Sequence, residues 1–230
     1  RFGGSQWVAL PPLVPPVSQT VPSGFTLEAW VQPSDVSKSG DFIAIGDGTA
    51  DVLRLGHQQS ALVFGIQIGT QPEQVVSVGS VFNSGQWVHV AATVDENGHL
   101  WLCKNGVVVA GDKNSVSPPR WLTRGQVQLG RSSSGTLFQG SLSEVRIWTT
   151  PRTPRHVLEN QQIRLGGSST EPGLWACYPL QATRGLSVTD TGAQRRDGSV
   201  QGASAPAWDG DLPALTGVRP PALGAVKSGL

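Results

Sequence analysis

Between Gly85 and Val109 the chain falls into three short runs separated by two tight turns. Val88, Val90, Ala92 and Val94 alternate with His89, Ala91 and Thr93. Glu96-Asn97-Gly98 interrupts, Leu100–Lys104 follows, and Asn105-Gly106 leads into Val107–Val109. Asn-Gly is the strongest short hairpin signal, because both residues tolerate positive φ. Two such turns so close together predict an antiparallel meander, with one face dry and the other bearing polar residues.

The same period of two recurs along the chain. Trp7 and Ala9 oppose Val8 and Leu10, before Pro11, Pro12, Pro15 and Pro16 forbid regular pairing. In FTLEAWVQ, Phe25, Leu27, Ala29 and Val31 share one face and Thr26, Glu28, Trp30 and Gln32 the other. Further strands are predicted at Asp41–Ile45, Val52–Leu55, Ala61–Ile68, Gln74–Ser80, Gln126–Gly130 and Leu174–Leu180. Leu142–Trp148 places Leu142, Glu144, Arg146 and Trp148 opposite Ser143, Val145 and Ile147. One helix is signalled: Thr153 as N-cap, Pro154 at the first position, and Arg155–Arg164 running into Gly166-Gly167. Many short strands, frequent turns and a single short helix predict an all-β fold, a two-sheet antiparallel β-sandwich of jelly-roll type. The sandwich is expected over residues 1–210, with a Pro- and Gly-rich tail or linker at 211–230.

Composition agrees with that class. Among 230 residues there are 29 Gly and 17 Pro, and only 14% are charged. A net charge of +1 offers no electrostatic attraction for nucleic acid. No run approaches the ~20 consecutive apolar residues of a membrane span, so no membrane insertion by this segment is expected. No leader segment is legible. With Arg1 first and no Met anywhere, the chain reads as a processed or excised piece of a longer polypeptide. Low charge with abundant Ser, Thr, Gln and Gly suggests an extracellular or cell-surface setting. Cys103 and Cys177 both fall in predicted strands, as a disulfide or as two buried free thiols.

FTLEAWVQP, GQWVHVAATVDENGHLWLCKNGVVV, GQVQLGRSSSG and FQGSLSEVRIWTTPRTP, in that order, resemble the laminin G-like and pentraxin-like branch of the concanavalin A-like lectin/glucanase superfamily. The resemblance covers about Arg1–Asp209. Leu174–Trp208 resembles a segment that in many bacterial relatives precedes the strand found here at Arg1–Pro12. That order implies one unit of a tandem or multidomain chain, closed by Leu174–Leu180 pairing near the N-terminal strand. The resemblance implies core positions for Trp87 and Trp148. It also places the pentraxin disulfide near Glu28 and Ala91, where this chain has no Cys.

Candidate chemistry is sparse. Glucanase relatives carry paired carboxylates on one strand, but Glu28 and Glu144 stand alone here. They read as solvated or salt-bridged strand acids, Glu144 with Arg146. The four His are dispersed, so neither a zinc site nor a catalytic triad is supported. Calcium in pentraxin-like relatives is held by oxygen-rich loops at one end of the sandwich. The resemblance maps the first loop to Gly46–Asp51, with Asp47 and Asp51 as metal candidates, and the second to Arg131–Gln139, which has no carboxylate. Calcium is therefore a candidate rather than a requirement, and the plainer alternative is a polar turn stabilised by Asp47 itself. Asp190 and Asp197 offer a further carboxylate pair for a structural ion. Of eight Trp, Trp121 lies in a loop, and with Arg120 and Arg131 it is the expected ligand-binding group; its alternative role is to cover the sandwich edge. The expected function is a non-catalytic module for carbohydrate recognition or adhesion, with a glycan or protein ligand, inside a larger secreted or surface protein. A structural domain that docks or spaces neighbouring domains of the same polypeptide is the alternative. A glycoside hydrolase comes third.

Overall fold

The computed structural model describes residues 1–14, 24–46, 51–111, 116–119, 123–165, 171–181, 185–202, 206–208 and 212–219. Along the chain run β1 (Phe2–Gly3), β2 (Gln6–Leu10), β3 (Gly24–Pro33), β4 (Ser39–Gly46), β5 (Val52–Gln58), β6 (Ala61–Gln67), β7 (Gln74–Val78), β8 (Val88–Asp95) and β9 (Leu100–Lys104). They are followed by β10 (Val107–Ala110), β11 (Gln126–Leu129), β12 (Gln139–Trp148), α1 (Pro154–Asn160), β13 (Ile163–Leu165), β14 (Leu174–Tyr178), β15 (Ser187–Val188), β16 (Gly198–Gly202) and β17 (Gly217–Arg219).

Two antiparallel sheets form the expected sandwich. One has seven strands in the order β1-β12-β3-β8-β9-β10, with β14 also on β12. The other has eight, β15-β16-β2-β11-β4-β5-β6-β7. Alternation decides what lies between them. Phe25, Leu27, Ala29 and Val31 from β3 meet Ile43, Ile45, Leu53, Leu55, Leu62 and Phe64 from the other sheet in one core. Burial of each large side chain there is worth about 1.5–3 kcal/mol. The predicted meander is β8-β9-β10, and its second turn has Asn105 at φ 47° and Gly106 at φ 77°, the positive pair that a tight hairpin needs.

Three expectations change. In β12 a bulge shifts register between Ser143 and Arg146, with Glu144 at φ 49°. One extra residue moves everything beyond it to the other face. Leu142 therefore joins Val145 and Ile147 in the core, while Glu144 and Arg146 share the outer face. The helix stops at Asn160, although Thr153 caps it as predicted, accepting from the His156 N–H at 3.2 Å. Ile163–Leu165 is instead a strand, paired in parallel with β17. Third, the C-terminal region does close against the N-terminus, but through β16 on β2. Leu174–Tyr178 adds to β12, on the same edge as β1. No helix among the described residues is long and apolar enough to cross a membrane.

The outer face of the seven-stranded sheet is covered. Val157 of α1 packs on Ala91 and Cys103, and Leu165 packs on Trp148 and Cys177. Trp148 is thus buried under β13 rather than between the sheets, and Trp87 is only half-buried. Beneath the cover, Cys177, Arg146, Glu28, Ala91 and Cys103 form one cross-strand row. Four strand spacings of about 4.8 Å put the two cysteines about 19 Å apart, far beyond disulfide reach. Both are buried free thiols, pushed up by burial to about 11 (Cys103) and about 12 (Cys177).

Candidate functional site

The acids first considered for chemistry lie in the covered layer. Glu28 and Glu144 are not isolated. Arg146 lies between them, 3.5 Å from Glu28 Oε1 and 3.4 Å from Glu144 Oε2. Trp148 Nε1 donates to Glu28 Oε1 at 2.9 Å, and Arg164 Nε to Glu144 Oε1 at 3.1 Å. Arg146 also donates to the carbonyls of Asn160, at 3.1 Å, and Ile163, which ties α1 and β13 to the sheet. His89 Nε2 lies 3.6 Å from Glu28 Oε2; burial pulls the imidazole down to about 4 and keeps it neutral. Both acids are almost wholly buried, 2% and 1% exposed, so a substrate has no access. The cluster is salt-bridged as expected but not solvated.

The eight-stranded sheet presents its outer face differently. A cross-strand row runs Ser199, Ala9, Gln128, Ala44, Arg54, Gly65, Val75. A second row is Gln126, Gly46, Val52, Gln67. Small residues alternate with long amides and one guanidinium, so the polar groups stand on a low floor. The loop Ser132–Thr136 rises beside it. Two connected hollows of about 390 Å³ and about 220 Å³ result, sharing Val52, Gln67, Ser133 and Ser134. Gln67, Gln126 and Gln128 line the smaller; Asp41, Arg54, Glu73 and Thr136 line the larger.

The loop is self-braced. Ser132 N–H donates to Thr136 O at 2.8 Å, Thr136 N–H to Ser132 Oγ at 2.9 Å, and Ser132 and Ser134 share a hydroxyl contact at 2.8 Å. Arg131, at its base, places its guanidinium 4.7 Å from the Trp7 ring centroid. The groove wall is therefore largely preformed.

A charged triad lies along the larger hollow. Arg54 Nε and Nη2 grip both oxygens of Glu73, the latter at 3.2 Å, and Nη1 reaches Asp41 Oδ1 at 3.3 Å. Two mid-strand glycines make room for it. A Cβ on Gly65 would lie 2.1 Å from Glu73 Oε1 and 2.7 Å from Arg54 Nε; one on Gly56 would lie 2.4 Å from Asp41 Oδ1. Two buried polar atoms of this lining have no partner among the described residues: Asp41 Oδ2 and Gln128 Oε1. Asp41 is 4% exposed and Gln128 8%. Burial pushes the Asp41 carboxyl up to about 6, against the opposing pull of Arg54.

Of the residues singled out in the sequence, Arg120, Trp121 and Asp47 lie outside the described residues. Arg131 stacks on Trp7 at the foot of the groove wall. Asp51 is 2% exposed, immediately before β5. Asp190 accepts backbone N–H bonds from Cys177, Gly192 and Arg196, each at 2.8 Å, and Asp197 Oδ1 accepts from the Asp190 N–H at 2.8 Å. That pair braces a turn with its own backbone donors. Calcium needs six to eight oxygens, several of them anionic. The described residues do not fit that demand: the 131–136 loop offers hydroxyls already bonded within it, and no group of three metal-ligating side chains occurs among them.

Asp41, Arg54, Glu73, Gln67 and Gln128 were not singled out by sequence. The legible signal was Gly56 and Gly65 inside strongly patterned strands, since interior strand glycine marks a close approach.

Comparison with known proteins supplies the family. A model described as the concanavalin A-like lectin/glucanases superfamily matches residues 2–158. No curated protein matches the chain. Among solved structures, a candidate carbohydrate-binding protein from Bacteroides ovatus superimposes with a TM-score of 0.59 at 21% identity, over 92% of this chain and 62% of its own. The chain thus spans less than two thirds of that relative. The SAP-like pentraxin of Limulus polyphemus aligns at 0.50 and 16% identity, over 68% of this chain and 75% of its own. Domain 4 of AbnA, an extracellular arabinanase of Geobacillus stearothermophilus solved with arabinotriose, aligns at 0.51 and 19%, over 66% and 71%. At these identities the likeness is one of fold.

Proposed function

The chain belongs to the concanavalin A-like lectin/glucanases superfamily, and from that premise we propose that it is a non-catalytic carbohydrate-recognition module whose site is the groove on the eight-stranded sheet. The observation that carries this reading is the pair of buried, unpartnered polar atoms, Asp41 Oδ2 and Gln128 Oε1, in the lining of a preformed polar groove. A buried polar atom without a partner costs about 1–3 kcal/mol, and at the lining of an open hollow a ligand is one group that can offset that cost. Sugar hydroxyls supply hydrogen bonds at the spacing of such a surface, and the Gln amides and Ser hydroxyls extend it. The Bacteroides ovatus protein and the arabinotriose-bound domain support a sugar as ligand. We extend the proposal to placement in a secreted or surface multidomain protein and to a role in adhesion, in keeping with the low charge and the Ser-, Thr-, Gln- and Gly-rich composition.

The test is a glycan array followed by calorimetry. Arg54→Ala with Gln128→Ala is expected to weaken the best ligand by at least about tenfold, with the fold retained by circular dichroism. Unchanged affinity would remove the groove from the reading, and an array without hits would remove the carbohydrate.

A second reading, docking of a neighbouring domain, is favoured by the edge strand β10. Val107 and Val108 are 62% and 41% exposed, and Leu158 of α1 is 51% exposed. Replacing both valines by Lys would disrupt such a contact and leave glycan binding intact; crosslinking within the longer polypeptide reads the difference.

A further inference from the structure

Resting on the reading of the groove as a sugar site, we propose that it selects neutral sugars and rejects acidic ones, with Asp41 as the discriminating residue. The charges that face the larger hollow are Asp41 of β4, Arg54 of β5 and Glu73 of the β6–β7 connection. The loop that forms the opposite wall contributes only Ser132, Ser133, Ser134 and Thr136. Arg54 is the only Lys or Arg among the described residues of this lining, and three of its N–H donors are engaged. Two go to Glu73 and one to Asp41 Oδ1. Three of the five guanidinium N–H donors are thus held by two carboxylates, and the charge left to attract a sugar carboxylate is offset by both. Two acids against one base leave the described lining at about −1 when both acids are ionised.

The group left free points the same way. Asp41 Oδ2 has no partner among the described residues, and its residue is 4% exposed. An ionised carboxylate oxygen accepts hydrogen bonds and cannot donate. It matches a hydroxyl donor of a neutral sugar. Opposite a uronate or sialate carboxylate it sets like charges together in a part-buried hollow, an arrangement that discriminates strongly. Gly65 leaves the triad its room, since a Cβ there would strike Glu73 and Arg54, whereas a Cβ at Gly56 would strike both Asp41 Oδ1 and the β4 backbone at the Gly40 carbonyl.

Protonation changes the pattern. A protonated Asp41 is a donor, so the exclusion weakens as pH falls through about 6. Sugar carboxylates stay ionised through that interval. His57, which also borders this hollow, is held below its ordinary value by burial and stacks on Phe42 at 5.5 Å. The charged groups left to respond to Asp41 are Arg54 and Glu73.

The experiment is calorimetry on the whole chain at about pH 8 and about pH 5, using arabinotriose, galactotriose and lactose beside trigalacturonate and sialyllactose. The expected result at the higher pH is binding of a neutral sugar with its acidic counterpart at least about tenfold weaker. In Asp41→Asn, which keeps the shape and supplies a donor, and in the native chain at the lower pH, the ratio should narrow by at least about threefold. Equal or tighter binding of the acidic sugars at the higher pH overturns the selectivity while leaving the groove as a sugar site. An unchanged ratio in Asp41→Asn overturns the role of Asp41. Absence of binding by every probe overturns both this inference and the reading it rests on.

Discussion

Replacing Asp41 with Asn should stabilise the protein near neutral pH. Burial raises this carboxyl from 3.8 to about 6. A group whose pKa is higher folded than unfolded stabilises the fold when protonated, fully so below the unfolded value. That contribution is lost as pH rises through the folded value, and above it the ionised form is a net burden. At about 1.4 kcal/mol per pH unit, the interval corresponds to about 3 kcal/mol as a ceiling, and relaxation around the site lowers it to about 1–3. Asn retains an oxygen for Arg54, now 3.3 Å from Asp41 Oδ1, and carries no charge to desolvate. Urea unfolding of both proteins at about pH 8 and about pH 4 isolates the effect, because every other titrating group cancels in the difference. The variant should be the more stable at the higher pH, by about 1–3 kcal/mol in the urea-unfolding free energy, with the gap closing towards the lower. A variant equal to or less stable than the native chain at the higher pH would refute the argument that burial dominates at Asp41.

Gly65→Ala places a methyl 2.1 Å from Glu73 Oε1. Stability should fall by no more than about 1 kcal/mol, because the displaced Arg54–Glu73 pair is only part-buried, while binding in the groove drops; calorimetry and melting together separate the two. Arg146→Leu strands Glu28 and Glu144 under α1 and should cost about 3–5 kcal/mol in urea unfolding. Cys103 and Cys177 should resist a thiol reagent in the native state and react together on unfolding, since the buried thiols are held protonated at about 11 and about 12. Sugar binding in the groove should survive a calcium chelator; its loss would shift the site towards the Gly46–Asp51 loop.

The fold was legible because period-two alternation and Asn-Gly turns are local properties. Val88–Val94, Phe25–Val31 and the Asn105-Gly106 turn read directly from their residues. The bulge in β12 was not, since SLSEVRIW alternates well enough either way and only pairing with β3 decides the register. Ile163–Leu165 read as helix because its partner, Gly217–Arg219, lies about fifty residues on. The groove was half legible. The sequence pointed to the loops Gly46–Asp51 and Gly111–Gly135, whose candidates Asp47, Arg120 and Trp121 lie outside the described residues, while Gly46, Ser133 and Ser134 line the smaller hollow. Its working residues sit on strands between those loops, where Arg54 or Gln128 looks like any polar residue on a wet face.

What separates the two charged clusters of this sandwich is cover, since buried atoms without a partner among the described residues occur in both: His89 Nδ1 and Arg146 Nε in one, Asp41 Oδ2 in the other. On the seven-stranded sheet every oxygen of Glu28 and Glu144 has a neighbour: Trp148 and Arg146, His89, Arg164 and Arg146 again. A helix and a strand close over them, and their chemistry is spent on holding that cover. On the eight-stranded sheet nothing among the described residues covers the triad, and one oxygen of its buried acid is left without a partner. Two strand glycines, residues that weaken a sheet, are kept where they give that acid and its guanidinium room. Stability alone would favour an amide at position 41. The hollow, the part-exposed Arg54–Glu73 pair and an acid oxygen without a described partner occur together on the uncovered face, and that is the face on which a ligand would act.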